Sequence, residues 1–201
     1  MKLALPVAAL ASALPQTAST PPPSFKITNV VSGGTGCPSG SINVEWTDDA
    51  VLPIHFGPDF IAAVGPGVAT ADSRKFCQLN LALAYSAGFS FAVYSVSYTG
   101  FADVDAGVTG TVGSNCYFSG ETDQTWTSTT LTGPARLDFA KRDAANVALW
   151  SPCSGAALFN VDASVALTPL AGSASGVLGI AEESGRLSNS LYVVWKKCEQ
   201  T

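Results

Sequence analysis

Asp103 and Asp105 stand two residues apart in the stretch Gly100–Gly107. On an extended segment both carboxylates share one face, with Cα atoms about 7 Å apart. That spacing suits two kinds of chemistry. A glycosidase needs an acid and a second carboxylate about 5 to 10 Å apart across a cleft, and a hard cation such as calcium takes several oxygen ligands. Each demands more than the pair supplies. The glycosidase acid needs an apolar pocket to raise its pKa, whereas the adjoining Gly100, Gly107 and Gly110 read as turns open to water. A calcium loop shows denser Asp and Asn spacing. Asp48, Asp49, Glu121 and Asp123 add further acids, which in an acidic chain read as solvated turn residues.

His55 is the only histidine, which removes several mechanisms together. A copper site braced by two histidines cannot form, and a Ser-His-Asp or Cys-His arrangement could use only His55. It sits between Ile54 and Phe56 in a strand pattern, with no G-x-S-x-G elbow anywhere, so we read it as structural or surface. No CxxC or Cys/His spacing points to zinc. Trp46, Trp126, Trp150 and Trp195, with five tyrosines, could stack on the CH faces of sugars. Most fall in strand patterns and read as core. Trp126 is the exception, flanked by Thr125, Thr127 and Ser128 in a polar strand.

The elements that must hold these residues are strands. In Arg74–Gly107, Cys77, Leu79, Leu81, Leu83 and Tyr85 alternate with Gln78, Asn80, Ala82 and Ala84, the two-residue period of a strand with one dry face. Ser86-Ala87-Gly88 breaks the run as an antiparallel turn would. The alternation then resumes with Phe89, Phe91 and Val93 on one side and Tyr94, Val96 and Tyr98 on the other, which predicts a central strand covered on both faces. Ser41–Thr47 reads as a half-buried strand, with Ile42, Val44 and Trp46 inward. Further short strands are expected at 52–56, 108–112, 115–119, 126–131, 136–139, 147–150, 157–167, 176–181 and 191–197. No stretch shows a helical period, and no repeat recurs at fixed spacing. The expectation is an all-β fold: an antiparallel β-sandwich stabilised by disulfides, with the jelly roll as one variant.

Composition agrees. The 201 residues are 47% apolar and 12% charged, with 19 Gly and 12 Pro, as in one turn-rich globular domain over residues 21–201. The net charge is −5, and the ten Lys and Arg fall as singles and pairs along the chain. Neither nucleic acid nor an anionic membrane is therefore an expected partner. Residues 1–20 read as a signal peptide and processed lead-in: Met1-Lys2, a short apolar run, and Ala11-Ser12-Ala13 as cleavage site. The run is too short to span a bilayer. Five cysteines in an exported chain suggest two disulfides and a leftover thiol. Sequence alone allows fifteen such pairings. Our reading favours Cys37 with Cys77 and Cys153 with Cys198, leaving Cys116 free, each closing a loop of about 40 to 45 residues. Ser32–Pro38 is a glycine loop without the Lys-Ser/Thr of a phosphate-binding loop.

Several motifs occur in a distinctive order: Gly34-Thr35-Gly36-Cys37-Pro38, Arg74-Lys75-Phe76-Cys77-Gln78-Leu79, Gly88-Phe89, Tyr98-Thr99-Gly100-Phe101-Ala102, Tyr117-Phe118-Ser119-Gly120 and Gly133-Pro134. Together they resemble the DUF4360 family of small secreted proteins, found in filamentous fungi and some bacteria. The resemblance runs from about Phe25 to Cys198 and implies a secreted protein without supplying a reaction. The family pattern supports the two cysteine pairs above. Cys116 departs from that pattern, which argues against a catalytic role for it. The expectation is a secreted, monomeric, non-enzymatic protein acting at a cell wall, glycan or host surface. Trp126, Asp103 and Asp105 are its candidate contacts; no cofactor is expected, calcium being the one cation the acids suggest. The alternative is a glycosidase-like enzyme using surface carboxylates.

Overall fold

The computed structural model describes residues 22–47, 50–170, 172–179 and 188–199. The expected signal peptide and Asp48-Asp49 lie outside them. The strands in chain order are β1 (Phe25–Gly33), β2 (Asn43–Val44), β3 (Val51–His55), β4 (Ala62–Val64), β5 (Arg74–Tyr85), β6 (Phe89–Val104), β7 (Thr109–Phe118), β8 (Gln124–Thr132), β9 (Ala135–Trp150), β10 (Ala156–Thr168), β11 (Gly176–Gly179) and β12 (Ser188–Lys197). One 3-10 turn, Thr70–Ser73, precedes β5. Every pairing is antiparallel. One sheet runs β1-β5-β10-β7-β8; the other runs β2-β3-β12-β6-β11-β4, with β9 on the opposite edge of β6.

The sheets face each other across a core formed by the dry faces of their strands. Cys77, Leu79, Leu81, Leu83 and Tyr85 of β5 are buried there, as are Phe159, Val161, Ala163, Val165 and Leu167 of β10. Phe91 of β6 is the hub, with ring centroids 5.1 to 6.1 Å from Trp195, Phe118, Tyr85, Phe159 and Phe25. These are edge and tilted contacts of the kind aromatic rings prefer.

The structure corrects four expectations. β5 and β6 do not form a hairpin: β5 is flanked by β1 and β10, so Ser86-Ala87-Gly88 carries the chain from one sheet to the other. Both strands present large apolar faces, and a corner lets those faces meet across one core. Gly88 supplies φ +82°, which favours glycine. Second, β6 is not apolar on both faces. Tyr94 forms a bulge, since Val93 pairs with Val193 while Ser95 pairs with Tyr192. The extra residue shifts the alternation by one. Phe91, Val93, Val96 and Tyr98 consequently all point inward, and Tyr94 stands out, 47% exposed.

Third, 108–112 and 115–119 belong to one strand, β7, and 136–139 and 147–150 to another, β9, whose register jumps between Leu149 opposite Val93 and Ala144 opposite Ser95. Fourth, regular pairing at 41–47 shrinks to Asn43–Val44, plus a bridge from Thr47 to Val51.

Disulfides join Cys37 to Cys77 and Cys153 to Cys198. The first ties the glycine loop to β5. The second sits against the sheet-crossing turn: Gly88 N–H donates to the Cys153 carbonyl (3.2 Å), and its carbonyl accepts from Cys198 N–H (2.8 Å). Cys116 is reduced and buried in β7. Burial, with a smaller contribution from Asp162, pushes its pKa up to about 12. The thiolate is the reactive form, so Cys116 in the folded protein should resist iodoacetamide at pH 8 and label only on denaturation. Mass spectrometry of alkylated protein reads this directly, and rapid native labelling would contradict the buried placement.

Candidate functional site

The five-stranded sheet turns its outer face to solvent, and register builds a site there. Gln78 on β5, Asp162 on β10, Asn115 on β7 and Trp126 on β8 are successive cross-strand partners, a row spanning roughly 14 Å at normal strand spacing. The neighbouring row is Phe76, Ser164, Gly113 and Ser128. Trp126 leans over Gly113: a Cβ there would lie 2.8 Å from the indole Cζ2. Glycine thus lets the indole lie close to the sheet. Trp126 and Phe76 are 46% and 47% exposed, standing on either side of the Ser164–Gly113 floor.

These walls enclose a groove of about 340 Å³ lined by Arg74, Phe76, Gln78, Asn115, Trp126 and Asp162. Past Asn115 and Asp162 it continues into a second depression of about 340 Å³, bordered by Tyr117, Glu121, Asp123 and Gln124. One end is therefore basic and the other acidic.

Asp162 lies at the junction. Its Oδ1 is buried and has no hydrogen-bond partner among the described residues. Burial raises its pKa above the ordinary 3.8. A buried acceptor without a donor is costly, and the surrounding amides are engaged elsewhere: Gln78 Nε2 donates to Tyr117 Oη (3.1 Å) and Asn115 Nδ2 to Gln124 Oε1 (2.6 Å). The floor therefore carries a strained carboxylate: Asp162 lines the groove while its Oδ1 lies beneath the surface without a donor.

β8 is held from both sheets. Its inward Thr127 receives the Tyr98 hydroxyl, which donates to the Thr127 carbonyl at 2.9 Å and contacts its Oγ1 at 2.6 Å. Burial, the largest effect, pushes the Tyr98 pKa up to about 12. The free edge of β8 is met by side chains of β9: Trp126 N–H donates to Asn146 Oδ1 (3.1 Å) and Ser128 N–H to Asp143 Oδ2 (2.8 Å). Asn146 falls within the irregular stretch of β9, which brings it to this edge. Across the core, Asn189 Nδ2 donates to Ser114 Oγ (2.8 Å). The strand carrying Trp126 is thus a rigid platform.

The other sequence candidates lie elsewhere. Asp103 and Asp105 border a shallow depression beside β4 and β11. Asp103 pairs with Arg136 (3.2 Å), and Asp105 Oδ2 accepts from Ser175 N–H (2.7 Å). Each carboxylate has its own partner. His55 lines a third depression with Asn43 and Ser41, opposite Ser188. Among the described residues no group of three His, Cys, Asp or Glu is arranged to hold a metal ion. Asp162, Gln78, Asn115 and Phe76 escaped the sequence reading. The alternation marks them as outward, but only the pairing register brings them beside Trp126.

The sequence matches the family described as Domain of unknown function (DUF4360) over residues 23–198. This chain belongs to the DUF4360 family. A relative, an uncharacterized secreted protein of Arthroderma benhamiae, is 39% identical over 179 residues, covering 88% of this chain and 73% of the relative. The DUF4360 chain is likewise a secreted protein, and its two disulfides suit an oxidising compartment. Among solved structures, TmCBM61 in complex with β-1,4-galactotriose aligns with 86% of this chain and 90% of its own, at 12% identity and TM-score 0.26. PfGH50B aligns with 87% of this chain and 24% of its own, at 9% identity and TM-score 0.25.

Proposed function

We propose that this secreted protein binds a wall or surface polysaccharide along the outer face of its five-stranded sheet, without hydrolysing it. The half-exposed indole of Trp126, standing over a groove that the Asp162 carboxyl group also lines, carries this reading. A sugar ring presents CH groups that stack on an aromatic face and hydroxyls that donate to carboxylate, the two chemistries this row offers. An open groove over a rigid sheet suits a polymer, which enters from either end. The engagement of Asp103 with Arg136 and of Asp105 with Ser175 supports binding over two-carboxylate hydrolysis.

The test is affinity electrophoresis of the parent and Asp162→Asn in gels containing β-glucan, galactan or soluble chitin derivatives, with reducing-sugar release assayed in parallel. Retardation by at least one polymer, weakened in the variant and without sugar release, is the expected result. No retardation by any of them, or equal retardation of both proteins, would overturn the proposal.

Stability should move oppositely to binding. The folded-state pKa of Asp162 is raised, so the folded protein holds that proton more tightly than the unfolded chain. The ionised side chain therefore costs stability, and this cost fades as pH falls through the raised pKa toward 3.8. Asp162→Asn should accordingly melt at or above the parent temperature at pH 7, with the difference shrinking at lower pH. Calorimetry across this window measures it, and a variant clearly less stable at pH 7 would contradict the assignment of Asp162 as a desolvated charge.

A further inference from the structure

Two cations far apart in sequence, Arg142 and Lys196, share the outer face of the other sheet. Arg142 on β9 pairs with Ser97 of β6 and Lys196 on β12 with Ser90, both on the outer face, whereas Lys141 and Lys197 pair with Tyr98 and Phe89 in the opposite phase; β9 and β12 flank β6. The outer face of β6 between them is small, Ser90, Ala92 and Ser95, and all three are buried beneath larger neighbours. Arg142 is held in one orientation. Its guanidinium carbon sits 3.8 Å from the Tyr192 ring centroid and 5.6 Å from that of Tyr94. Nε donates to Ser95 Oγ (2.9 Å) and Nη2 to Tyr94 Oη (3.3 Å). Both acceptors are neutral hydroxyls, so the fixed cation keeps further N–H donors, and no carboxylate of the described residues forms an ion pair with it. The bulge in β6 makes this arrangement, because it turns Tyr94 outward. Lys196 repeats the theme, its Nζ 4.0 Å from the Trp150 ring centroid.

We infer that this face is a second binding surface, for an acidic polysaccharide whose carboxylate or sulfate groups are read by Arg142 and Lys196. A guanidinium stacked on an aromatic ring and pinned by hydrogen bonds is preorganised for a planar, two-point contact with an oxyanion. The described acids of β6 and β9 do not neutralise it. Asp103 is paired with Arg136, and Asp143 is turned to Ser128 N–H. Asp138, the remaining acid on this face of β9, is four residues from Arg142, about 13 Å along the strand. Tyr192 and Trp150 stand on strands separated by β6, roughly 10 Å apart. The two ring-borne cations, each on a separate aromatic platform, suit successive anionic groups on an extended chain. The face is flat, with aromatic edges for sugar CH groups, and it lies on the opposite side of the molecule from the Asp162 groove.

Binding to polygalacturonate (carboxylate) and dextran sulfate (sulfate) separates the two anion sources, with neutral dextran and double-stranded DNA as comparisons. The parent protein should bind at least one acidic polysaccharide at low salt. Binding should be lost near 1 M salt, where the Debye length is about 3 Å. Arg142→Lys, which keeps the charge but not the fork, should weaken it about tenfold, and Lys196→Gln should also weaken it. Trp126→Ala should leave it unchanged, and the melting temperatures of both basic-face variants should stay near the parent's. If Arg142→Lys proves unstable, Lys196→Gln carries the test alone. No binding to either acidic polymer, binding no tighter than to DNA, or an equal loss in Trp126→Ala would overturn the inference.

Discussion

Trp126→Ala should weaken polysaccharide binding by about 30-fold or more, the effect expected where a central tryptophan contributes about 2 kcal/mol or more. The indole is 46% exposed and lies over Gly113 rather than in the core. The strand beneath it is held through backbone groups and through its neighbours, by Asn146, Asp143 and Tyr98, none of which needs the Trp126 side chain. Truncation should therefore leave the platform intact and shift the melting temperature little, as exposed positions generally do. Titration calorimetry against whichever polymer retards the parent protein supplies the affinity, and thermal melting supplies the control. Undiminished affinity in a normally folded Trp126→Ala protein would rule out the groove as the glycan site.

Replacing Cys153 and Cys198 with alanine should lower stability by about 4 kcal/mol, the chain-entropy value for a loop of this length. The cysteines are 45 residues apart in sequence. For a domain of this size that loss corresponds to a fall of roughly 8 to 16 °C in melting temperature. The bond lies where the chain changes sheets. Gly88 hydrogen-bonds to both Cys153 and Cys198, and Tyr85 donates through its N–H to the Gly155 carbonyl (2.8 Å) and through its hydroxyl to the Pro152 carbonyl (2.6 Å). Without the disulfide, the end of β12 and the 151–155 segment are tied to this corner by such bonds and by the packing of Trp195 against Tyr85 and Phe91. Scanning calorimetry of parent and variant reads the result, and a shift of only a degree or two would show that these contacts suffice.

Much of the fold was legible because strand burial is written at every second residue. In β5 the period is uninterrupted, and the buried set Cys77 to Tyr85 follows from it. The same reasoning failed in β6, where one extra residue at Tyr94 reverses the phase. A bulge leaves no local signature when residues on both sides of it are large and apolar. Turn chemistry was likewise ambiguous at Ser86-Ala87-Gly88, since a short glycine turn serves a hairpin and a sandwich corner equally well.

The amino-acid order by itself determined that the chain is all-β, that it carries the DUF4360 motifs, and that Trp126 sits in a polar strand. These are local properties, set by periodicity and by neighbours along the chain. Tertiary structure alone decided that Gln78, Asp162, Asn115 and Trp126 form one row, because four strands from distant parts of the sequence must pair in one register to make it. It also decided that Arg142 of β9 and Lys196 of β12 share one outer face beside β6. Antiparallel pairing joins residues far apart in sequence, and the register is chosen by core packing across whole sheets, which no short stretch of sequence contains.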